Sequence, residues 1–414
     1  MTRRCRGQAN VALVPNLSVE GDVSMAVVQL ARGRHRRVQA GHPWIFQGEV
    51  EEIRGEFAPG DVVTVVDFRG RLLGKGYINP ASQILVRMLT AHDEPVDREF
   101  FRRRLERAWA YRQKLLPDTG ACRVVFGEAD FLPGLIVDKF GDILVVQTLA
   151  LGIDKWLPDI VDILVDLLRP RGIYERNDVP VRRLEGLEER KGFLRGEFDP
   201  RITIVENGLE IAVDVAEGQK TGYYLDQREN RHAVRRYAAG GRVLDCFCNV
   251  GGFALNAAAA GAREVVAVDA SAEAIAAAEE NAARNGLRDR IRFQVGNAFD
   301  ILRQMEAQRE RFDVIVLDPP AFAKNKAALE GAARGYKEIN LRALRMLTEG
   351  GFLVTCSCSY HMTPDLFKAV VAEAAQDARR RLRLVEERAQ AVDHPIVVGY
   401  DESHYLKCLI YEVI

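Results

Sequence analysis

Hydrophobic and polar positions fall into three successive textures along the chain. From Val27 to about Leu89 the apolar residues come in short runs, such as Val62-Val63-Thr64-Val65-Val66 and Ile84-Leu85-Val86-Arg87-Met88. Gly41, Pro43, Gly60, Gly70, Gly74 and Gly76 punctuate them, which predicts short strands in a small β-barrel over residues 25–96. The period then changes. Within 97–116, Phe100, Phe101, Leu105, Ala108, Trp109 and Leu115 line one helical stripe. Strands around Gly134–Asp138 and Ile143–Leu149 follow, then a helix from Trp156 to Leu168 and an extended stretch from Ile173. Residues 97–200 therefore read as a small α+β unit of strand–strand–helix–strand order. From Ile202 onward, apolar runs alternate with helical stretches, which predicts an α/β sheet over 201–414. Strands are expected at Ile291–Val295, Phe312–Leu317, Phe352–Cys356, Pro395–Val398 and Lys407–Val413. Residues 1–24 have weak periodicity and read as an N-terminal extension, with Met25 a second candidate start.

The stretch VLDCFCNVGGFAL, Val243 to Leu255, organises the last unit. Val243-Leu244-Asp245 ends a buried strand, Asn249-Val250-Gly251-Gly252 is a tight loop, and Phe253 opens an Ala-rich helix. A second strand, Glu264 to Val268, ends in Asp269, where nucleotide-binding βαβ units place a carboxylate on ribose hydroxyls. The loop lacks the G-x-G-x-x-G pattern, so a dinucleotide fits it less well than S-adenosylmethionine, which class I methyltransferases hold on such loops. A purely structural turn is the alternative. Other polar residues also follow strands: Asn297 and Ala298, Asp318-Pro319-Pro320, and Ser357-Cys358-Ser359. An open α/β sheet gathers such ends at one crevice.

Asp318 before two prolines is either a strand-ending turn or an acceptor for the amino group of a flat base. Cys358 is either a packing residue or a nucleophile. Carbon 5 of a pyrimidine is a poor nucleophile until a thiolate adds to carbon 6, so a cysteine beside a methyl-donor pocket has a specific use. Cys356 lies within its strand and reads as a core residue, and Cys246 and Cys248 flank the loop as packing residues.

Composition narrows the setting. At 414 residues, two or three domains are expected. No apolar run approaches the roughly 18 residues that cross a membrane. The 7 cysteines are odd in number and have neither a disulfide nor a zinc spacing, so a reducing cytoplasm and no metal are expected. The net charge of −1 does not announce nucleic acid, but Arg32, Arg34, Arg36 and Arg37 form a local basic run, as do Arg102, Arg103 and Arg104. Each run is a phosphate contact or a solvated face.

Several motifs in order carry a resemblance: Gly41-His42-Pro43-Trp44-Ile45-Phe46, GQKTGYYLDQREN (218–230), VLDCFCNVGGFAL, VDAS (268–271), DPPAFAK (318–324), Gly335-Tyr336-Lys337 and TCSCS (355–359). From Met25 to the C-terminus the chain resembles the RlmI-type family of bacterial large-subunit ribosomal RNA cytosine methyltransferases. The resemblance implies a multi-domain protein: an N-terminal PUA-like barrel, a central α+β unit and a C-terminal Rossmann-like class I methyltransferase domain. It implies S-adenosylmethionine as cofactor and 23S ribosomal RNA as partner, with 5-methylcytosine as product. By the same resemblance, Cys358 is the family's nucleophile; Asp318 is the expected catalytic partner that steadies the ring at its N3 or amino edge. Gln219, Thr221, Asp226, Asp245, Asn249, Gly251, Gly252, Phe253, Asp269, Asn297, Ala298 and Asp318 are then the cofactor residues. Pro319, Pro320, Lys324, Tyr336, Arg228, Arg34 and Arg36 face the RNA. Asn297 stands where the family usually has an acid, and its amide is left to accept from the adenine amino group. Ala321 stands where other RNA cytosine methyltransferases have a second cysteine. Two rivals remain open, a methyltransferase for an exocyclic amine and a non-catalytic RNA-binding assembly factor. The oligomeric state is open too, a homodimer included.

Overall fold

The computed structural model of the protein describes residues 25–323 and 325–414; the expected N-terminal extension and Lys324 lie outside them. The N-terminal unit is a six-stranded sheet, in the spatial order Trp44–Phe46, Ile84–Thr90, Leu72–Ile78, Val62–Val66, Val27–Leu30, Val50–Arg54. Only Val27–Leu30 and Val62–Val66 pair in parallel; the other neighbours are antiparallel. Alternate residues such as Val63 and Val65 are buried with Val28, Ile45 and Val86, as period-two patterning requires.

The central unit is a five-stranded sheet under the helices Arg98–Leu115 and Leu157–Leu168. Its first and last strands, Ala121–Phe126 and Arg190–Arg195, are absent from the sequence reading. The first hides its pattern behind Arg123, whose side chain is buried against Asp138 at 2.7 Å. The last is a charged edge strand with little buried surface.

Hairpin Arg201–Glu206 and Leu209–Asp214 leads into a seven-stranded sheet. Its spatial order is Ile291–Val295, Glu264–Asp269, Arg242–Cys246, Phe312–Leu317, Leu347–Ser357, Lys407–Val413, Leu382–Arg388. The first five are parallel, and Lys407–Val413 runs antiparallel to both its neighbours. Alternate residues feed two cores: Val243, Val265 and Val314 on one face, Leu244, Val266 and Ile315 on the other. Burial on both faces explains the near-continuous apolar runs. Residues 395–398 are not a strand; Val397 makes only an isolated bridge to Tyr400, and Val398 is 94% exposed.

The three units are joined by buried polar contacts. Tyr77 donates to Pro133 O at 2.7 Å, and Arg87 pairs with Glu128 at 3.0 Å and Glu185 at 2.9 Å. Arg112 donates to Asp393 O at 2.7 Å, and Thr221 Oγ1 donates to Asp138 at 2.6 Å. No helix among the described residues is long and apolar enough to cross a membrane.

Candidate active site

The crevice forms where the sequence reading expects it, outside the C-terminal ends of the parallel strands. A cavity of about 530 Å³ is lined there by the segment Gln219–Gln227, the glycine loop, Asp269, Asn297 to Phe299, Asp318 to Phe322, Cys358 and Leu406. That volume suits a nucleoside-sized ligand.

The glycine loop is built by backbone constraint. Gly251 has φ +89°, and a β-carbon there would lie 3.1 Å from Ala278 Cβ. At Gly252 a β-carbon would meet Arg231 Cδ at 2.6 Å. The absent side chains thus admit protein neighbours, and Gly251 does not line the cavity. Asp245 is fully buried behind the loop, where Oδ2 accepts from Ala254 N at 2.8 Å. Burial holds its carboxyl well above the usual carboxylate range. It shapes the loop without touching the cavity, a correction to its expected cofactor contact.

Asp269 does reach the cavity. Its Oδ2 accepts from Asn249 N at 2.9 Å and its Oδ1 from Ser271 N at 3.0 Å, which fixes the carboxylate against the loop. Asn249, Gly252, Phe253 and Ala298 line the same wall. Asn297 lines it too, but its Oδ1 caps the helix Ala298–Ala307 by accepting from Phe299 N at 2.9 Å. Its expected acceptor role toward adenine therefore competes with a helix cap.

The opposite wall carries the segment from Gln219 to Gln227. Lys220 Nζ donates to Asp226 Oδ2 at 2.9 Å and lies 4.4 Å over the Tyr224 ring. Tyr405 OH donates to the same oxygen at 2.6 Å. Asp226 Oδ1 is buried without a partner, an acceptor left free for a cationic ligand group. Burial alone would raise Asp226, but Lys220, His394 and the Tyr405 hydroxyl hold it below the usual carboxylate range. Gln219 lines the cavity, whereas Thr221 is fully buried and turned to Asp138; Thr221 braces the central unit and does not touch the ligand space.

Asp318, Pro319, Pro320 and Cys358 converge. Asp318 Oδ1 accepts from Gln227 Nε2 at 2.9 Å. Burial, with the Asp226 charge, pushes Asp318 up to about 6. Cys358 is partly exposed, its Sγ 4.0 Å from Pro319 O. Burial and the Asp318 charge push its thiol up to about 11, with Lys220 and Lys407 pulling the other way. Cys356 is fully buried and faces Cys408 in the core, and Cys246 is buried; Cys248, also mostly buried, borders the cavity.

The expected RNA-facing residues separate. Tyr336 is fully buried between Phe322 and Phe367, its hydroxyl bonded to Ser357 Oγ at 3.0 Å and Ser359 Oγ at 3.2 Å. It cannot stack on a base; it holds the two serines that flank Cys358. Arg228 is not in the cavity either. It pairs with buried Asp393 at 3.1 Å and donates to Ala121 O at 3.0 Å, tying two units together. Arg34 and Arg36 are exposed on the N-terminal unit, while Arg37 pairs with Glu49 at 2.6 Å. Arg102 and Arg103 pair with Asp166 and Glu94. Lys220, Tyr224, Gln227 and Arg231 line the cavity without having been singled out; the motif 218–230 was the only signal for the first three, and Arg231 lies just beyond it. Among the described residues no cluster of three or more His, Cys, Asp or Glu side chains is arranged to hold a metal.

Comparison with known proteins agrees with this geometry. A PUA-like domain family matches residues 28–91, and an S-adenosylmethionine-dependent methyltransferase family matches residues 187–412. The chain is 45% identical over 94% of its length to ribosomal RNA large subunit methyltransferase I of Tolumonas auensis, covering 99% of that protein. It is 44% identical over 91% of its length to the protein of the same name from Cronobacter sakazakii, covering 97% of it. Among solved structures, SMU.776 in complex with SAH superposes with TM-score 0.82 at 20% identity, over 94% of this chain and 100% of that one. The glycine loop with Asp269, and the free acceptor on Asp226, fit the ribose and the charged methionine end of S-adenosylmethionine. The chain belongs to the family of the ribosomal RNA large subunit methyltransferase I proteins, S-adenosylmethionine-dependent methyltransferases with an N-terminal PUA-like domain.

Proposed function

We propose that this protein methylates carbon 5 of a cytosine in large-subunit (23S) ribosomal RNA through a covalent adduct on Cys358. One observation carries the reading: Cys358 and the Asp318-Pro319-Pro320 turn share a cavity with Asp269 and the glycine loop. Relatives named for large-subunit ribosomal RNA supply the substrate class. The exposed Arg32, Arg34 and Arg36 of the N-terminal unit suit phosphate contacts that hold RNA by its shape.

Asp269 would take the ribose hydroxyls of the cofactor and Asp226 Oδ1 its ammonium, with Asn297, Ala298 and Phe299 beside the adenine. When bound, S-adenosylmethionine supplies an electrophilic methyl group. The target cytosine must leave its stack to enter the cavity. Cys358 Sγ adds its electron pair to carbon 6, and carbon 5 becomes enamine-like. Asp318 holds the ring at its N3 and amino edge; lifted to about 6 by burial, it can keep or give a proton there near neutral pH. Carbon 5 takes the methyl group, a base removes the carbon-5 proton, and the sulfur leaves with its electron pair.

A second reading, methylation of an exocyclic amine, draws on the aromatic Phe322 near the D-P-P turn and needs no thiol. Incubation of the protein with labelled S-adenosylmethionine and unmodified 23S RNA, followed by nucleoside mass spectrometry, decides between them. The label is expected in 5-methylcytosine; label in an N4-methylated cytosine would replace the proposal with the second reading.

A further inference from the structure

The reaction proposed above needs a thiolate at Cys358, and the surroundings oppose one. Burial and Asp318 raise the thiol. Lys324, which follows the D-P-P turn in sequence, lies outside the described residues. Lys220 faces the thiol but is already bonded to Asp226 at 2.9 Å, so its charge is largely cancelled.

Another cation is built into the sheet. Lys407 begins the strand Lys407–Val413 and is the cross-strand partner of Ser357, the residue before Cys358. Its Nζ donates to the carbonyl of Ser359, the residue after Cys358, at 2.7 Å, and to Tyr405 O at 2.8 Å. Lys407 thus brackets the cysteine from both sides. It is only 3% exposed, and among the described residues no carboxylate pairs with it. An ammonium has three donors, so one remains. Buried charges are normally paired, and two carbonyls do not neutralise this one.

We propose that Lys407 is the counter-ion of the Cys358 thiolate, a positioning residue that sustains the nucleophile. The inference rests on the reading of Cys358 as nucleophile. Burial brings Lys407 down to about 8, and the charge that restores it is that of Cys358. The groups that face the sulfur are Asp318 and Asp226, which oppose the anion, Lys220 and Lys407, which favour it, and the Tyr224 and Tyr336 hydroxyls. The thiol proton leaves to water and the ammonium keeps its three protons throughout. Sulfur then gives its pair to carbon 6 and recovers it when the carbon–sulfur bond breaks.

The test is thiol reactivity, which does not depend on methyl transfer. Full-length wild type and Lys407→Met are alkylated with iodoacetamide over a pH series, and modification of Cys358 is read by peptide mass spectrometry. Binding of S-adenosylmethionine reports on folding. Alkylation of Cys358 at pH 7, where the ammonium keeps its protons, is expected to be roughly tenfold slower in the variant, with the difference shrinking above about pH 9 as the wild-type ammonium titrates. An unchanged alkylation rate at pH 7 in a variant that binds cofactor would overturn the proposal. Should Lys407→Met lose its fold, Lys407→Arg decides. Its charge does not titrate in this range, so Cys358 in that variant should be alkylated at pH 7 about as fast as in wild type and faster than wild type above about pH 9, and a rate at pH 7 as slow as that expected of Lys407→Met overturns the pair. If alkylation depends on Lys407 while Cys358→Ala still methylates RNA, the ion pair stands and the nucleophile reading fails.

Discussion

Arg228 separates what a basic residue in a motif suggests from what its surroundings make it do. Its side chain is 13% exposed, and its guanidinium faces a fully buried Asp393 carboxylate at 3.1 Å, with a further bond to Ala121 O at 3.0 Å. In Arg228→Ala the carboxylate keeps the Arg123 N–H at 2.9 Å and His394 Nδ1 at 3.1 Å. That partial satisfaction places the loss at the low end of the range for breaking a buried pair, about 3 kcal/mol. Burial opposes the charge on Asp393, but His394 and Arg228 hold its carboxyl below the usual 3.8. A depressed acid contributes stability that is complete above the unfolded value and lost as pH falls toward the folded one. The loss in Arg228→Ala should therefore be constant between about pH 5 and 8 and shrink only in acid. The 3 tryptophans, Trp44, Trp109 and Trp156, all lie in the first two units, so fluorescence under urea reports the junction. At a slope near 3 kcal/mol/M the midpoint should fall by roughly 1 M. Arg228→Met with Asp393→Asn should recover much of it, since no buried charge is stranded. The salt dependence of RNA binding should not move. An unmoved midpoint with a flatter salt dependence would refute the brace and restore Arg228 to the RNA interface.

Asp318→Asn should stabilise the ligand-free protein while abolishing methyl transfer. A raised acid costs stability as pH climbs from 3.8 to about 6, so the gain should be absent near pH 4 and reach at most about 3 kcal/mol above pH 6; thermal melts at the two pH values check it, and equal gains at both would refute the raised value. Asp269→Ala should weaken S-adenosylmethionine binding by about 1–3 kcal/mol in calorimetry; unchanged affinity in a folded variant would take Asp269 out of the site. Replacing Arg32, Arg34 and Arg36 by Gln should lower the salt slope of RNA binding by roughly 0.7–0.9 for each phosphate no longer neutralised, with cofactor affinity unchanged. A constant slope would make the run a solvated face.

The inner strands of the sheet were legible because they are buried on both faces and written as apolar runs; Phe312–Leu317 and Lys407–Val413 have the expected bounds, whereas the edge strand Leu382–Arg388, which has no buried residue, went unread. The strand Ala121–Phe126 was illegible because a buried Arg123–Asp138 pair interrupts its pattern with a charge whose partner lies on another strand. The expected strand Pro395–Val398 has an apolar composition but two exposed residues, Ile396 and Val398, which no pattern along the chain reveals. In the crevice, strand-end positions such as Asp269, Asp318 and Cys358 were readable from local order. Direction was not: Asp245, Thr221, Arg228 and Tyr336 sit in motif segments but turn toward protein partners. Lys407 was hidden for the opposite reason, since its relation to Cys358 exists only through pairing of strands about fifty residues apart.

The central claim is a sulfur–carbon bond between Cys358 and the target ring. The most direct measurement is trapping with 23S RNA fragments carrying 5-fluorocytosine, in the presence of S-adenosylmethionine. Fluorine cannot leave carbon 5 as a proton does, so the adduct should accumulate and digest to a nucleotide-bearing peptide modified at Cys358. Cys358→Ala should bind cofactor and RNA, trap nothing and transfer no methyl group, whereas Cys356→Ala should still trap. Full methyl transfer by Cys358→Ala, or an adduct mapped to Cys356, would contradict the account.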